Sequence, residues 1–295
     1  MTVASVRDDR TTQRLRLADG RTVGVAEYGE PAGRPVVVLQ GTPSSRLMHH
    51  PDESIARDLQ ARLISIDRPG FGLSDFQPGR TLLDWPADVA AVMDQLGIDR
   101  FAVVGFSGGG PYTAACAYRI PSRLTCAAIV AGAGPVAAPG ALDRMTRMRR
   151  MGLAVARTAP WLLRSLIWLL HHPRRDPARF FASFSDGFPP ADRAIMAQPE
   201  IRAMMLANYA EAARQGVRGF AYEGILFSRP WGFRLEDIRM PVHLWHGEED
   251  TSTPVAMARY VAGAIPDCRA RFLPGEGHML FFPRWREILG VLVAA

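Results

Sequence analysis

The chain has 295 residues, 48% hydrophobic and 22% charged, enough for one large α/β domain with an insertion or for two small domains. That balance excludes disorder as the default state. No apolar stretch reaches the ~18–20 residues of a membrane span, so no integral membrane segment is expected.

The first twenty residues carry charge but no apolar core, so they do not read as a secretory signal, and a cytoplasmic location is expected. Cys116, Cys126 and Cys268 are widely spaced in apolar surroundings and read as reduced core thiols rather than as a disulfide frame or metal site. The net charge of +6 is uneven. Residues 141–180 hold nine arginines (144, 147, 149, 150, 157, 164, 174, 175 and 179) against only Asp143 and Asp176. All 35 basic residues are arginine, which a coding bias of a GC-rich bacterial source explains as well as any function does.

In chain order, residues 15–18 and 23–28 flank Asp19-Gly20 and predict a β-hairpin. Residues 35–40 form an unbroken apolar run, the pattern of a strand covered by helices on both faces. Helical spacing over 55–62 is followed by a second buried strand at 63–66 and the turn-rich Asp67-Arg68-Pro69-Gly70-Phe71-Gly72. A helix over 85–96 stops at Gly97; a strand at 101–105, a helix at 109–119 and a strand at 125–131 follow. This alternation predicts a mostly parallel sheet wound with helices. From about 135 to 233 the pattern is helical throughout, and β/α alternation resumes with strands at 240–245 and 270–273 and helices at 255–264 and 285–293. The organisation expected is therefore a core of residues 1–135 and 236–295, interrupted by a helical cap at 136–235.

Gly105-Phe106-Ser107-Gly108-Gly109 falls between a predicted strand and a predicted helix. A serine on so sharp a turn exposes its Oγ, and flanking glycines let the backbone close. The same turn sets the Gly108 amide at a helix N-terminus, where it can donate to an oxyanion. The plainer alternative is a glycine-rich helix start with a capping serine. A nucleophilic serine needs a base, and the base an orienting acid. His246-Gly247-Glu248-Glu249-Asp250 and Gly275-Glu276-Gly277-His278 each follow a predicted strand and supply them in the order serine, acid, histidine. Spacing alone leaves Glu248, Glu249 and Asp250 all open as the acid.

With these motifs the chain from about residue 15 onward resembles the α/β-hydrolase family, serine-nucleophile branch with a helical cap, as in bacterial esterases. The resemblance implies an α/β-hydrolase sheet flanked by helices, with Ser107, His278 and Asp250 as catalytic residues. It implies Thr42 and Gly108 as the amides of an oxyanion hole. Phe106, beside the nucleophile, is the candidate substrate contact. The family's usual His-Gly before the first oxyanion donor is Gln40-Gly41 here. The segment 130–135 has no carboxylate, which closes the other position from which family members draw the acid. Asp67 matches a structural position of the family's turn. Serine at the elbow excludes the aspartate-dependent dehalogenase and epoxide-hydrolase branches.

No cofactor and no metal are expected. His49–His50 and His171–His172 are adjacent pairs that point to different faces, and His243 and His246 read as structural. Gly132-Ala133-Gly134-Pro135-Val136-Ala137 mimics a dinucleotide fingerprint, but proline crowds the turn and no acid follows at ribose distance. The expected partner is a small-molecule ester or related acyl compound, not nucleic acid; oligomeric state leaves no mark in the sequence. Methionines 145, 148, 151, 196, 204 and 205 suggest a soft, apolar cap. The arginine-rich segment reads as a solvated helix face or, alternatively, as an attractor for an anionic substrate or a membrane surface. Other chemistries on the same residues, such as lactone formation, C–C cleavage or peracid formation, and a slow-turnover receptor are the alternatives.

Overall fold

The unbroken apolar runs have a simple cause: both faces of the central strands are covered. In β3 (Arg34–Leu39), Val36 and Val38 enter one apolar layer, whereas Val37 and Leu39 enter the other. In β5 (Phe101–Phe106), Ala102, Val104 and Phe106 likewise oppose Phe101 and Val103. Each such fully buried valine contributes about 1.5–3 kcal/mol.

The computed structural model describes residues 9–170, 176–185 and 187–295. His171, His172, Arg174 and Arg175 lie outside the described residues, as do the side chains of Met148 and Leu170. The hairpin forms between β1 (Gln13–Arg16) and β2 (Thr22–Gly29), with Gly20 at φ 87° in the turn. β2 pairs antiparallel with β4 (Ala61–Ile66), and β4 runs parallel to β3. β5, β6 (Leu124–Val130), β7 (Val242–Gly247) and β8 (Cys268–Leu273) extend the parallel part, giving the order β1-β2-β4-β3-β5-β6-β7-β8.

The helix expected over 55–62 is shorter: α1 spans Ser54–Asp58. Gln60 adopts φ 51°, which reverses the chain, and Ala61 and Arg62 already belong to β4. α2 (Trp85–Gln95) closes just before Gly97, φ 70°, where the pattern predicts its stop. α3 (Gly110–Arg119) follows β5, while α10 (Val255–Ala264) and α11 (Trp285–Ala294) flank β8.

Between β6 and β7 the described residues contain no strand. They form α4 (Arg147–Thr158), α5 (Pro160–Leu170), α6 (Pro177–Ser185), α7 (Pro190–Met196), α8 (Pro199–Ala212) and α9 (Arg218–Phe227). This helical insertion joins the core through three fully buried polar side chains, Asp192 on α7, Asn208 on α8 and Glu223 on α9. Cys116 and Cys126 are buried and free; Cys268, at the sheet edge, is free but only half-buried.

Candidate active site

Ser107 sits at the first residue past β5 with φ 54°, a left-handed conformation that serine adopts only under constraint. The glycines around it are required by contact. A Cβ on Gly105 would lie 2.2 Å from Thr113 Oγ1, and one on Gly109 would lie 2.0 Å from the Leu39 carbonyl oxygen. A one-turn helix over Ser107–Gly109 then leads into α3.

Ser107, His278 and Asp250 meet in space. His278, in the turn after β8, has Nε2 2.9 Å from Ser107 Oγ, and its Nδ1 lies 2.7 Å from Asp250 Oδ2. Asp250 is fully buried. Its Oδ1 accepts from the amides of Ser252 (2.7 Å) and Thr253 (2.9 Å). The Thr253 hydroxyl lies 2.8 Å from Asp250 Oδ2 and 2.9 Å from the Ala131 carbonyl oxygen, so its one proton can serve either. Burial would raise the Asp250 carboxyl, but facing His278 and these donors outweigh it and hold it at about 2. Glu248 and Glu249 instead turn to Arg259 (2.8 Å) and Arg144 (3.3 Å) on the surface, away from the imidazole.

Phe106 is buried, with its ring centroid 5.1 Å from that of His278 and 5.3 Å from that of Phe281. Phe188 of the insertion has its ring centroid 6.2 Å from that of the imidazole. The Arg149 guanidinium lies 5.8 Å from the Phe188 ring. Arg149 is therefore an exception to the solvated-arginine reading: burial pushes its guanidinium below its ordinary value, against the pull of Asp250.

Thr42 and Gly108 are neighbours, since a Cβ on Gly108 would lie 3.2 Å from the Thr42 nitrogen. Gln40, where histidine is usual, is buried and donates from Nε2 to Ser65 Oγ at 2.5 Å. The loop is braced from below by Arg68, which donates to the carbonyls of Gln40 (2.5 Å) and Gly41 (2.7 Å). Arg68 also binds both oxygens of Glu223, at 2.5 and 2.9 Å. The Thr42 hydroxyl accepts from Arg68 and donates to Glu223. Arg80 and Tyr112 close the cluster on Glu223 Oε1. Burial raises the Glu223 carboxyl, but the facing guanidiniums of Arg68 and Arg80 more than reverse it. Two guanidiniums face one carboxylate, leaving net positive charge beneath the loop.

Two further insertion residues hold core loops. Asp192 accepts from the amides of His278 (2.7 Å) and Met279 (2.8 Å). Asn208 Oδ1 accepts from the Ser45 amide (2.8 Å) and the Ser44 hydroxyl (3.0 Å). None of the three anchors stands out in a motif. For Glu223 the one signal is a lone acid among apolar neighbours on a helix, in Phe220-Ala221-Tyr222-Glu223-Gly224-Ile225-Leu226; Asp192, beside Arg193, lacks even that.

Asp67 accepts from the amides of Arg46 (2.6 Å) and Leu73 (2.8 Å), which is a structural use. His246 is buried, with Nε2 2.7 Å from the Thr253 carbonyl oxygen. Among the described residues no cluster of metal-ligating side chains forms.

The strand order, a left-handed serine after β5, and an acid and a histidine after β7 and β8 define a class: the chain has the α/β-hydrolase fold. A family model described as alpha/beta hydrolase fold matches residues 34–158. An uncharacterized hydrolase of Saccharomyces cerevisiae is 26% identical over 250 residues, covering 83% of each chain. A hydrolase from Pseudomonas aeruginosa superposes with a TM-score of 0.72 at 16% identity, over 96% of this chain and 97% of that one. An esterase from a Rhodococcus species superposes with a TM-score of 0.66 at 23% identity, over 96% and 99%.

Proposed function

We propose that the protein is a serine hydrolase of carboxylic esters or related acyl compounds, acting through Ser107, His278 and Asp250. The observation that carries this reading is the continuous contact from Ser107 Oγ to His278 Nε2 and from His278 Nδ1 to Asp250 Oδ2. His278 takes the hydroxyl proton as Ser107 attacks the carbonyl carbon, and Asp250 stabilises the imidazolium that forms. The oxyanion is received by the amides of Gly108 and Thr42. The peptide unit that carries the Thr42 amide also carries the Gly41 carbonyl, to which Arg68 donates. That charge-assisted bond polarises the unit and strengthens the amide as a donor. His278 then protonates the leaving alkoxide, and water, activated by the same imidazole, releases the acyl group.

The insertion, taken as residues 136–235, acts as a cap over this site. Phe188, with the buried Met145, Met196, Met204 and Met205 elsewhere in the same block, supports an apolar acyl substrate. Phe106 serves as a wall behind the imidazole. Free cysteines support a reducing, cytoplasmic setting.

The test is intact mass after treatment with a fluorophosphonate probe, beside Ser107→Ala. One adduct on the wild type and none on the variant, with p-nitrophenyl ester turnover lost in the variant, is expected. Undiminished turnover by Ser107→Ala would overturn the proposal.

A further inference from the structure

Four of the five large apolar side chains that stand exposed on the described surface belong to one helical hairpin. Met151 is 57% exposed on α4; Trp161 (76%), Trp168 (48%) and Leu169 (70%) are on α5; the fifth, Tyr260, lies elsewhere. Their spacing explains the concentration. On α5 the exposed positions are 161, 164, 165, 168 and 169, one stripe at helical period, while Leu163 and Ile167 face inward against α9. On α4 the exposed positions are 147, 150, 151, 154, 157 and 158, again one stripe. Every charged residue on these two stripes is an arginine: 147, 150, 157 and 164. No Asp or Glu occurs between Arg144 and Leu170, and among the described residues no carboxylate pairs with these four arginines.

The geometry points to this α4–α5 face as a docking surface for an anionic lipid bilayer. Exposed tryptophan and leucine alternating with arginine is the composition of a helix that lies in the headgroup–acyl boundary, with apolar side chains below the phosphates and cations among them. A protein partner fits less well. Specific interfaces carry roughly one directional hydrogen bond per 100–200 Å². Here, apart from arginine, the stripes carry only the indole N–H groups of the two tryptophans and the hydroxyls of Thr158 and Ser165, and the Thr158 hydroxyl already donates to the Ala154 carbonyl. Nucleic acid would use the tryptophans and arginines but gives no role to Met151 or Leu169. Neither helix is long and apolar enough to cross a membrane, so the contact is peripheral. The same α4 places Arg149 over Phe188, which lies against His278, so one helix has a bilayer face and a site face.

The test is flotation of the full chain with vesicles of phosphatidylcholine alone, or with three parts in ten phosphatidylglycerol, at 50 and 500 mM NaCl. The wild type is expected to float with the anionic vesicles at low salt, less with neutral ones and less at high salt. Each arginine at such a surface adds about fivefold to binding at low salt, so Arg150→Gln/Arg157→Gln/Arg164→Gln should lose on the order of a hundredfold. Trp161→Gln/Leu169→Gln should abolish flotation while its thermal midpoint and turnover of a soluble ester stay at wild-type values, which separates docking from folding and from the proposed chemistry. Wild-type protein that stays with the bulk solution, or a Trp161/Leu169 variant that floats equally well, would overturn the inference. So would a solution dimer that this variant splits, because the face would then belong to a second copy of the chain.

Discussion

The Asp250 carboxylate shares its two oxygens among two amides, an imidazole and a hydroxyl, and sees no solvent. Its charge, rather than its shape, is what His278 feels. Asp250→Asn should leave the packing in place but present the wrong hydrogen-bond polarity to Nδ1. A fall in kcat of about 10⁴ with KM within a few-fold is expected, and steady-state kinetics on a p-nitrophenyl ester measure it. Ser107 was legible because its signal is local: the glycines, strand and helix that make the elbow are adjacent in sequence. The choice of Asp250 over Glu248 and Glu249 was not local. It depends on which carboxylate the turn after β7 directs inward, and spacing of one residue decides that only once the turn is built. In the sequence Arg68 is only one residue of a turn-rich segment, yet its guanidinium donates to the carbonyls of Gln40 and Gly41. Its counter-charge lies 155 residues away, beyond the reach of any motif.

At the level of elements, the sheet was legible because buried parallel strands leave long apolar runs, and the helical insertion because those runs stop. The misjudged end of α1 has a different cause: residues 59–62 are compatible with helix, and Gln60 leaves it only because β4 must begin at Ala61 to pair with β2 and β3. How α7, α8 and α9 dock was hidden for the same reason as Arg68, since each grips loops distant in sequence through polar side chains. Asp192→Ala strips two amides of their acceptor at the start of the His278 turn, a loss of about 1–3 kcal/mol. Chemical denaturation should register that destabilisation. A disordered His278 turn should lower kcat more than it changes KM, and Asp192→Asn should restore part of both. Equal kcat in Asp192→Ala and wild type would count against a positioning role for this helix.

For the molecule as a whole, acid sensitivity follows from what is buried uncharged. Burial depresses His49 and His246 below the ordinary 6.5, with Asp250 and the Thr253 carbonyl only partly restoring His246. Unfolding exposes both rings, and below about pH 6.5 the unfolded chain binds protons that the folded one refuses. Their contribution is therefore complete above about pH 6.5 and is lost as pH falls through the depressed values. Asp250, lowered to about 2 from 3.8, adds a second loss only below about pH 4. Thermal midpoints measured from pH 8 to pH 4.5 should fall on the acid side, and more gently in His246→Gln. A midpoint that rises on acidification to pH 5 would contradict this account.

The Glu223 bridge bears on how freely such a protein can exchange parts. A helical block inserted between two strands looks like a module that could be traded for another to change substrate preference. Here the block supplies the carboxylate that, alone among the described residues, Arg68 and Arg80 share in their buried cluster. A transplant that omits it strands two cations in the interior, where an uncompensated charge costs about 3–5 kcal/mol. Any grafted replacement must therefore bring an acid to the same depth, or arrive together with new residues at positions 68 and 80.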